Sequence, residues 1–298
     1  MSEYFADDGD FSLLRLVPTV LRARDFRLYT RGKAKQRLVD LWQNGGAAIL
    51  GHTPPSMLRE LKNTASRGLY APFPHFLEGR YIKALSRIFP DRDFRLYAAP
   101  PPCLENLVAN GSASLWRPFL DPKDPFSVPK DAPLVLVPVV PGIQGWRRVG
   151  DLHDETCALP LGLCVLAIAK NTDTPGLEQG NLPPGDFLPP VLLAIAARGI
   201  HDLVAATPTR AKPAFPRIAK ALGKTSPGST IWQRQGPYLT LRQSPSREEW
   251  TAMFRRFLDA GFLLPPVPFH PVILPGTLSP GEEAKLADLL ASNSSSGG

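Results

Sequence analysis

Two runs of consecutive apolar residues most constrain the fold of this chain. Residues 134–140 and 163–169 carry no charged side chain, and each run is about as long as one strand. A strand with one face in water alternates polar and apolar residues, whereas a strand buried on both faces is apolar throughout. The two runs therefore predict buried strands in a central sheet covered by helices, which is an α/β fold.

The flanking segments predict the elements around that sheet. Short strands are predicted at residues 26–29 and 37–42, and a helix from Pro54-Pro55 to Gly68, because proline suits a first helical turn. Apolar residues at helical spacing predict a second helix over residues 77–89, and a strand is predicted at 94–98. Proline accounts for 34 of 298 residues, about twice the usual ~5% share, which indicates many irregular connections.

The pattern changes near residue 228, where short strands alternate with capped helices. Ser246 with Glu249 and Ser279 with Glu282 form the spacing of capping boxes, in which a serine and a glutamate satisfy the first amides of a helix. We therefore expect an N-terminal segment (1–75), a reduced central α/β domain (76–227), a smaller C-terminal α+β domain (228–291) and a disordered tail (292–298).

Charge and cysteine content exclude several classes of function. The net charge is +7, but the densest basic stretch, residues 22–37, is interrupted by apolar and acidic residues and lacks a nucleic-acid-binding pattern. Three cysteines without metal-ligand spacing indicate neither a disulfide framework nor a zinc site. The first ten residues are acidic, and the two apolar runs are too short to span a membrane. We expect a cytoplasmic protein with no nucleic-acid partner and no membrane partner.

Four segments, taken in order along the chain, resemble one known family. The first is Val39-Asp-Leu-Trp-Gln-Asn-Gly-Gly-Ala-Ala-Ile-Leu-Gly-His-Thr-Pro-Pro55, and the others are residues 185–197, 236–241 and 257–266. Together they resemble class III aminotransferases, most closely the glutamate-1-semialdehyde aminomutases. The resemblance implies a fold-type-I pyridoxal-phosphate-dependent transferase, with a central mixed sheet between helices and a smaller C-terminal α+β domain.

The same resemblance implies a site with four parts: a lysine for the Schiff base, an acid facing the pyridine nitrogen, a phosphate cup and a site for the substrate carboxylate. Gly46 matches the loop that presents backbone near the substrate carboxylate. The cup falls on Ala98-Ala99-Pro100-Pro101-Pro102, where three prolines have no N–H to donate and no hydroxyl is present. Arg95 and Arg117 are near the cup in sequence and are candidates to compensate.

Two registers remain open for the lysine. If residues 159–162 end the family's glycine-rich stretch, the lysine position falls near His153 and the nucleophile is lost; this register is favoured. In the other register, Asp154 faces the pyridine nitrogen, with Glu155 beside it, and Lys170 is the Schiff-base lysine.

Two functions therefore compete. One is pyridoxal-phosphate-dependent amino transfer on a small amino or keto acid, and the other is a non-catalytic relative that serves as a binding or scaffold protein. In both cases the resemblance implies a homodimer, because related sites are built across a subunit interface. The altered cup predicts that pyridoxal phosphate binds weakly or not at all.

Overall fold

The structure is a computed structural model, which describes residues 12–31, 37–109, 111–128, 133–138, 146–148, 158–160, 163–170, 182–211, 214–223, 231–268 and 270–292. The strands are β1 (Val20–Arg24), β2 (Arg27–Thr30), β3 (Arg37–Asp40), β4 (Arg92–Tyr97), β5 (Ala113–Leu115), β6 (Leu134–Pro138), β7 (Trp146–Arg148), β8 (Ala158–Pro160), β9 (Cys164–Ala169), β10 (Trp232–Gln235), β11 (Tyr238–Leu241), β12 (Phe262–Leu263) and β13 (Val272–Ile273). The α-helices are α1 (Pro55–Ala65), α2 (Phe76–Leu85), α3 (Cys103–Ala109), α4 (Pro190–Arg210), α5 (Pro216–Gly223), α6 (Arg247–Asp259) and α7 (Pro280–Ala291), with 3-10 helices at Ser12–Leu16 and Gln43–Gly46.

The central sheet has the order β4-β9-β6-β5. Strand β9 runs antiparallel to both of its neighbours, and β5 runs parallel to β6. Alternate residues of β9 enter two different cores: Val165 and Ala167 face one, while Leu166 and Ile168 face the other. Each face of β9 is therefore buried, which confirms the prediction made from the apolar runs.

Helix α4 is the core helix on one face of this sheet and packs against both α1 and α2. By length and composition alone, α4 is apolar enough to cross a membrane, but half of its most apolar window is buried inside the protein. The apolar residues of 190–206 predict a helix, which the structure confirms, and Arg198, His201 and Asp202 interrupt its apolar sequence. Its burial is that of a helix in a protein core.

The N-terminal strands share a core with the C-terminal residues. Strand β3 pairs in parallel with β12, in a sheet of order β1-β2-β3-β12. A second, antiparallel sheet has the order β10-β11-β13. Leu38 of β3 packs in one cluster with Trp232, Phe254 and Leu286. The predicted domain boundaries stay predictions, and residues 224–230 and 293–298, which include the predicted boundary and nearly all of the tail, lie outside the described residues.

One ion-pair cluster fastens α7 to these N-terminal strands. Both capping boxes predicted from the sequence are present. The carboxylate of Glu282 also accepts bonds from Arg27 Nη2 at 2.6 Å and Arg37 Nη2 at 2.9 Å. Burial raises the pKa of Glu282, but the Arg27 bond and the Ser279 cap outweigh burial and hold the pKa at about 2.

We expect Glu282→Gln to lower the free energy of unfolding at pH 7 by about 1.5–3 kcal/mol, the usual contribution of a hydrogen bond to a charged group. Because the pKa is depressed in the folded state, this stabilisation is complete above the unfolded value of 4.5 and is lost as pH falls towards about 2. Urea denaturation at pH 7 and pH 3 measures both effects, and the difference between variant and wild type should shrink at pH 3. The exposed Asp259→Asn on α6 serves as the control, with an expected change below ~0.5 kcal/mol. If the difference in free energy of unfolding between variant and wild type were the same at pH 7 and at pH 3, the result would contradict this account.

Candidate functional site

The loop after β3 is anchored by the buried carboxylate of Asp40. Its Oδ1 accepts the backbone N–H groups of Trp42 at 2.9 Å and Gln43 at 2.8 Å. Its Oδ2 lies 2.8 Å from Nε2 of His52. One carboxylate therefore holds both ends of the loop, which gives a structural role to the Asp40 and His52 positions of the quoted motif.

Within this loop the backbone turns left-handed over four successive residues. The φ angles are 49° at Gln43, 50° at Asn44, 66° at Gly45 and 97° at Gly46. For a residue other than glycine this conformation costs roughly 1–2 kcal/mol, so surrounding contacts must hold it. The fully buried Gln43 supplies one such contact, since its Nε2 donates to the carbonyl oxygen of Ile273 at 2.9 Å.

Gly45 and Gly46 line a cleft together with residues from three other segments. The lining residues are Gly45, Gly46, Ala47, Ile49, Trp116, Arg117, Pro118, Ile200, Leu203 and Tyr238. The cavity measures about 30 Å³, which is room for about two water molecules. That space has room for the two oxygens of a carboxylate group.

Two arginines and a buried histidine set the electrostatics around the cleft. Burial raises the pKa of Tyr238, and the charges of Arg117 and Arg210 oppose this rise. Burial, together with the charge of Arg117, lowers the pKa of His270 to about 3, so this imidazole is neutral at physiological pH. Its Nδ1 accepts a bond from Trp42 Nε1 at 3.3 Å. The positive charge at the cleft therefore comes from arginine.

Arg210 is the last residue of α4 and is not among the residues that line the cleft. It is 3% exposed, its Nη1 donates to the carbonyl oxygen of Leu274 at 3.1 Å, and its guanidinium lies 5.1 Å from the centre of the Phe26 ring. Burial lowers its pKa to about 10, which still leaves it charged at neutral pH.

The hairpin between β10 and β11 is what places Tyr238. Gly236 forms the turn with φ +56°, and a methyl group there would collide with the carbonyl oxygen of Phe119. Two residues later, the Tyr238 hydroxyl donates to the carbonyl oxygen of Pro118 at 2.8 Å. The hairpin is therefore fixed against the segment that carries Trp116 and Arg117.

The family resemblance assigns the phosphate cup to the turn after β4, where the amide of Ala98 and two amides of the first turn of α3 are engaged within the protein. Leu104 N donates to the carbonyl oxygen of Pro101 at 2.9 Å, and Glu105 N donates to that of Pro102 at 3.2 Å. Ala98 N donates to the carboxylate of Asp186 at 2.9 Å. A phosphate group needs several N–H donors that point outwards and no nearby carboxylate. The residues of this turn therefore do not fit the phosphate of pyridoxal phosphate.

Residues 182–186 form a strap that covers this end of β4. Arg95 Nη1 donates to the carbonyl oxygens of Leu182 and, at 3.0 Å, Pro183, and the Tyr97 hydroxyl donates to Pro183 at 2.9 Å. Gly185 lies so close to Leu96 that a Cβ atom would come within 3.0 Å of its carbonyl oxygen. Arg95, a candidate to compensate for the altered cup, instead holds the strap in place.

Lys170 lies at the opposite end of β4 from this turn. Its Nζ is 3.5 Å from the carbonyl oxygen of Pro90 and 4.0 Å from the carboxylate of Asp93, and its side chain is about half exposed. Ala169 pairs with Arg92, whereas Cys164 pairs with Tyr97, so the two ends are about 16 Å apart at ~3.3 Å per residue. Asp154, Glu155 and His153, on which the two registers depend, lie outside the described residues.

The structure therefore brings together some of the predicted residues and separates others. Gly46 and Arg117 line one cleft, and Lys170 is not part of it. Sequence reasoning missed Tyr238 and Asp186 as individual residues, although both lie inside quoted segments, beside Gly236 and Gly185. The glycines were the available signal, because each marks a close approach of two backbones.

No family model matches this chain. An uncharacterised protein of Treponema pallidum is 29% identical over 289 residues, which cover 88% of this chain and 91% of that protein.

Solved structures are similar over nearly the whole chain. Ornithine δ-aminotransferase of Plasmodium falciparum matches with a TM-score of 0.60 at 11% identity, covering 93% of this chain and 92% of that one. A transaminase with pyridoxal phosphate bound matches with a TM-score of 0.58 at 11% identity, covering 93% and 90%. The predicted fold is thereby confirmed: the chain has the fold of the class III aminotransferases.

Proposed function

We propose that this protein binds a small amino or keto acid through its carboxylate, in the cleft at Gly46, and does not perform pyridoxal-phosphate chemistry. The proposal rests on one contrast between two parts of the molecule. The turn after β4 bonds its own carboxylate, Asp186, whereas the cleft keeps carboxylate-sized space beside Arg117. The protein then retains the binding half of an aminotransferase site without the cofactor half.

Arginine is the side chain best suited to this task, because its planar guanidinium binds a carboxylate through two parallel bonds. The lining of the cleft is otherwise apolar or glycine, apart from the Tyr238 hydroxyl, which is already bonded to Pro118. A charge-assisted bond gains strength where water is excluded. The resemblance to glutamate-1-semialdehyde aminomutases supports an amino or keto acid as the ligand.

The competing function is amino transfer with pyridoxal phosphate held by groups other than the turn after β4. The fold supports this alternative, since a transaminase of similar structure binds the cofactor. In that case Lys170 is the described lysine to test, although its position at the far end of β4 counts against it.

Calorimetric titration with small 2-amino and 2-keto acids tests carboxylate binding. We expect saturable binding of at least one acid, and no binding of the corresponding amides. Arg117→Gln should weaken that binding by about 10- to 100-fold, because a charge-assisted hydrogen bond contributes about 1.5–3 kcal/mol. The control is Arg59→Gln on the exposed face of α1, which should leave the affinity unchanged. Equal affinity in wild type and Arg117→Gln would overturn the assignment.

Borohydride reduction in the presence of pyridoxal phosphate, followed by peptide mapping, tests the loss of the cofactor. We expect no absorbance at the violet edge and no specific pyridoxyl adduct, since the turn after β4 lacks several charge-assisted bonds, each contributing about 1.5–3 kcal/mol. A stoichiometric adduct on any lysine contradicts this expectation. An adduct on Lys170 would establish the competing function, and Lys170→Arg should then abolish it.

We also propose that two copies associate through the region around residues 58–76. Exposed apolar side chains concentrate there: Leu58, Leu61, Tyr70, Phe73 and Phe76, with Phe187 before α4. The first turn of α4 is bonded to this region, since Val191 N donates to the carbonyl oxygen of Leu69 at 3.2 Å. An exposed aromatic group of this size is typical of a protein–protein interface.

Light scattering at tens of micromolar should give the mass of a dimer. Replacing Phe73 and Phe76 with serine should shift the mass towards that of a monomer, because both side chains are more than half exposed in the single chain. The control is Leu21→Ser, an equally exposed apolar residue on β1. A monomeric wild type would contradict the proposal directly.

A further inference from the structure

A row of basic side chains lies on the exposed face of α2. Arg80, Lys83 and Arg87 are spaced by three and four residues, which places them on one side of the helix and of the turn that follows it. All three are exposed, while Leu77, Tyr81 and Leu85 occupy the buried side. The division is that of a helix with one face in the core and one in solvent.

Helix α4 adds two more basic residues to the same place. It packs against α2, and its His201 meets Arg87, just after α2. Nη1 of Arg87 lies 3.4 Å from Nδ1 of His201, and Arg198 is one turn earlier on α4. We refer to Arg80, Lys83, Arg87, Arg198 and His201 as the basic stripe.

Most of this charge is not neutralised within the described residues. Asp202 is the acid closest to the stripe in sequence, and it is occupied by Arg198, at 2.6 Å, and by the Ser56 hydroxyl. No carboxylate of the described chain lies within ion-pair distance of Arg80, Lys83 or Arg87. Glu78 is two residues from Arg80, and this spacing directs it to a different face of α2.

The pKa of His201 responds to its burial and to the neighbouring arginines. Burial, followed by the charges of Arg87 and Arg198, lowers the pKa of His201, and Arg80 adds to the effect while Asp202 opposes it. A lowered pKa leaves His201 neutral at neutral pH, so the positive charge of the stripe is that of Arg80, Lys83, Arg87 and Arg198. These like charges lie on one face of the protein, and an anionic partner would remove their repulsion.

We infer that the basic stripe is a docking surface for an acidic segment of another protein. An apolar side chain flanks it: Val204 is exposed one turn after His201. A polypeptide that carries both carboxylates and apolar side chains would satisfy the whole face, whereas a phosphate polymer would match only the charges. None of the five residues of the stripe lines the Gly46 cleft, so docking goes beyond the proposed binding of a small acid.

Fluorescence anisotropy with a labelled peptide of repeated Glu-Glu-Phe tests the inference on the full chain. We expect saturable binding that weakens as salt rises, since exposed charge pairs are screened. The double variant Arg80→Glu with Arg87→Glu should weaken binding by about 10-fold or more, a difference of ~1.4 kcal/mol. A matched control reverses the exposed Arg255 and Lys285 on α6 and α7, which changes the net charge equally and should alter binding by less than about 2-fold.

Three results would overturn the inference. One is the absence of saturable peptide binding by the wild type, and another is an equal loss in both double variants, which would indicate a response to net charge alone. The third is tighter binding of a single-stranded oligonucleotide than of the peptide, with the same dependence on Arg80 and Arg87, since the surface would then be one for nucleic acid. Circular dichroism tests whether both double variants are folded. We expect that they are, because the substituted side chains are exposed.

Discussion

The backbone pairing of β3 is the constraint on which the rest of the site depends. Val39 N donates to the carbonyl oxygen of Gly261 and Leu41 N to that of Leu263, while the Leu41 carbonyl accepts from Ile273 N. These bonds hold residues 39–41 between two strands from the other end of the chain. The left-handed loop begins two residues later, so its direction follows from this pairing. The Ile273 carbonyl, which accepts from Gln43 Nε2, helps to hold the loop that carries Gly46 to the cleft.

The cleft at Gly46 and the turn after β4 are held in place in different ways. The cleft is made of residues that also hold the fold together, since Tyr238 bonds Pro118 and Gly236 packs against Phe119. The turn after β4 is held by hydrogen bonds to the strap. These bonds come from the last residues of β4 and from Ala98, which follows it. Substitution in the cleft therefore costs stability as well as binding, whereas the turn can change its ligand chemistry while the central sheet stays buried on both faces.

Local patterns in the sequence predicted the elements that depend on local physics. The apolar runs predicted β6 and β9, and the serine–glutamate pairs at 246–249 and 279–282 predicted two capped helices. The contacts that define the candidate site are non-local: Ala98 meets Asp186 across 88 residues, and Tyr238 meets Pro118 across 120. Neither periodicity nor spacing encodes such pairs. Lys170 illustrates the limit, because its place after an apolar strand does not reveal which end of the sheet it occupies.

The same reasoning explains why the basic stripe was hidden in the sequence. Arg80, Lys83 and Arg87 are spread over eight positions, and the α4 residues follow more than a hundred positions later, so the charge looks scattered along the chain. Helical spacing gathers the first three on one face, and the packing of α4 against α2 adds the others. Within the described part of the chain, Asp202 is the acid that compensates this charge, and it is committed to Arg198 and Ser56. Basic residues that are far apart in the sequence therefore form a local excess of positive charge in the folded protein.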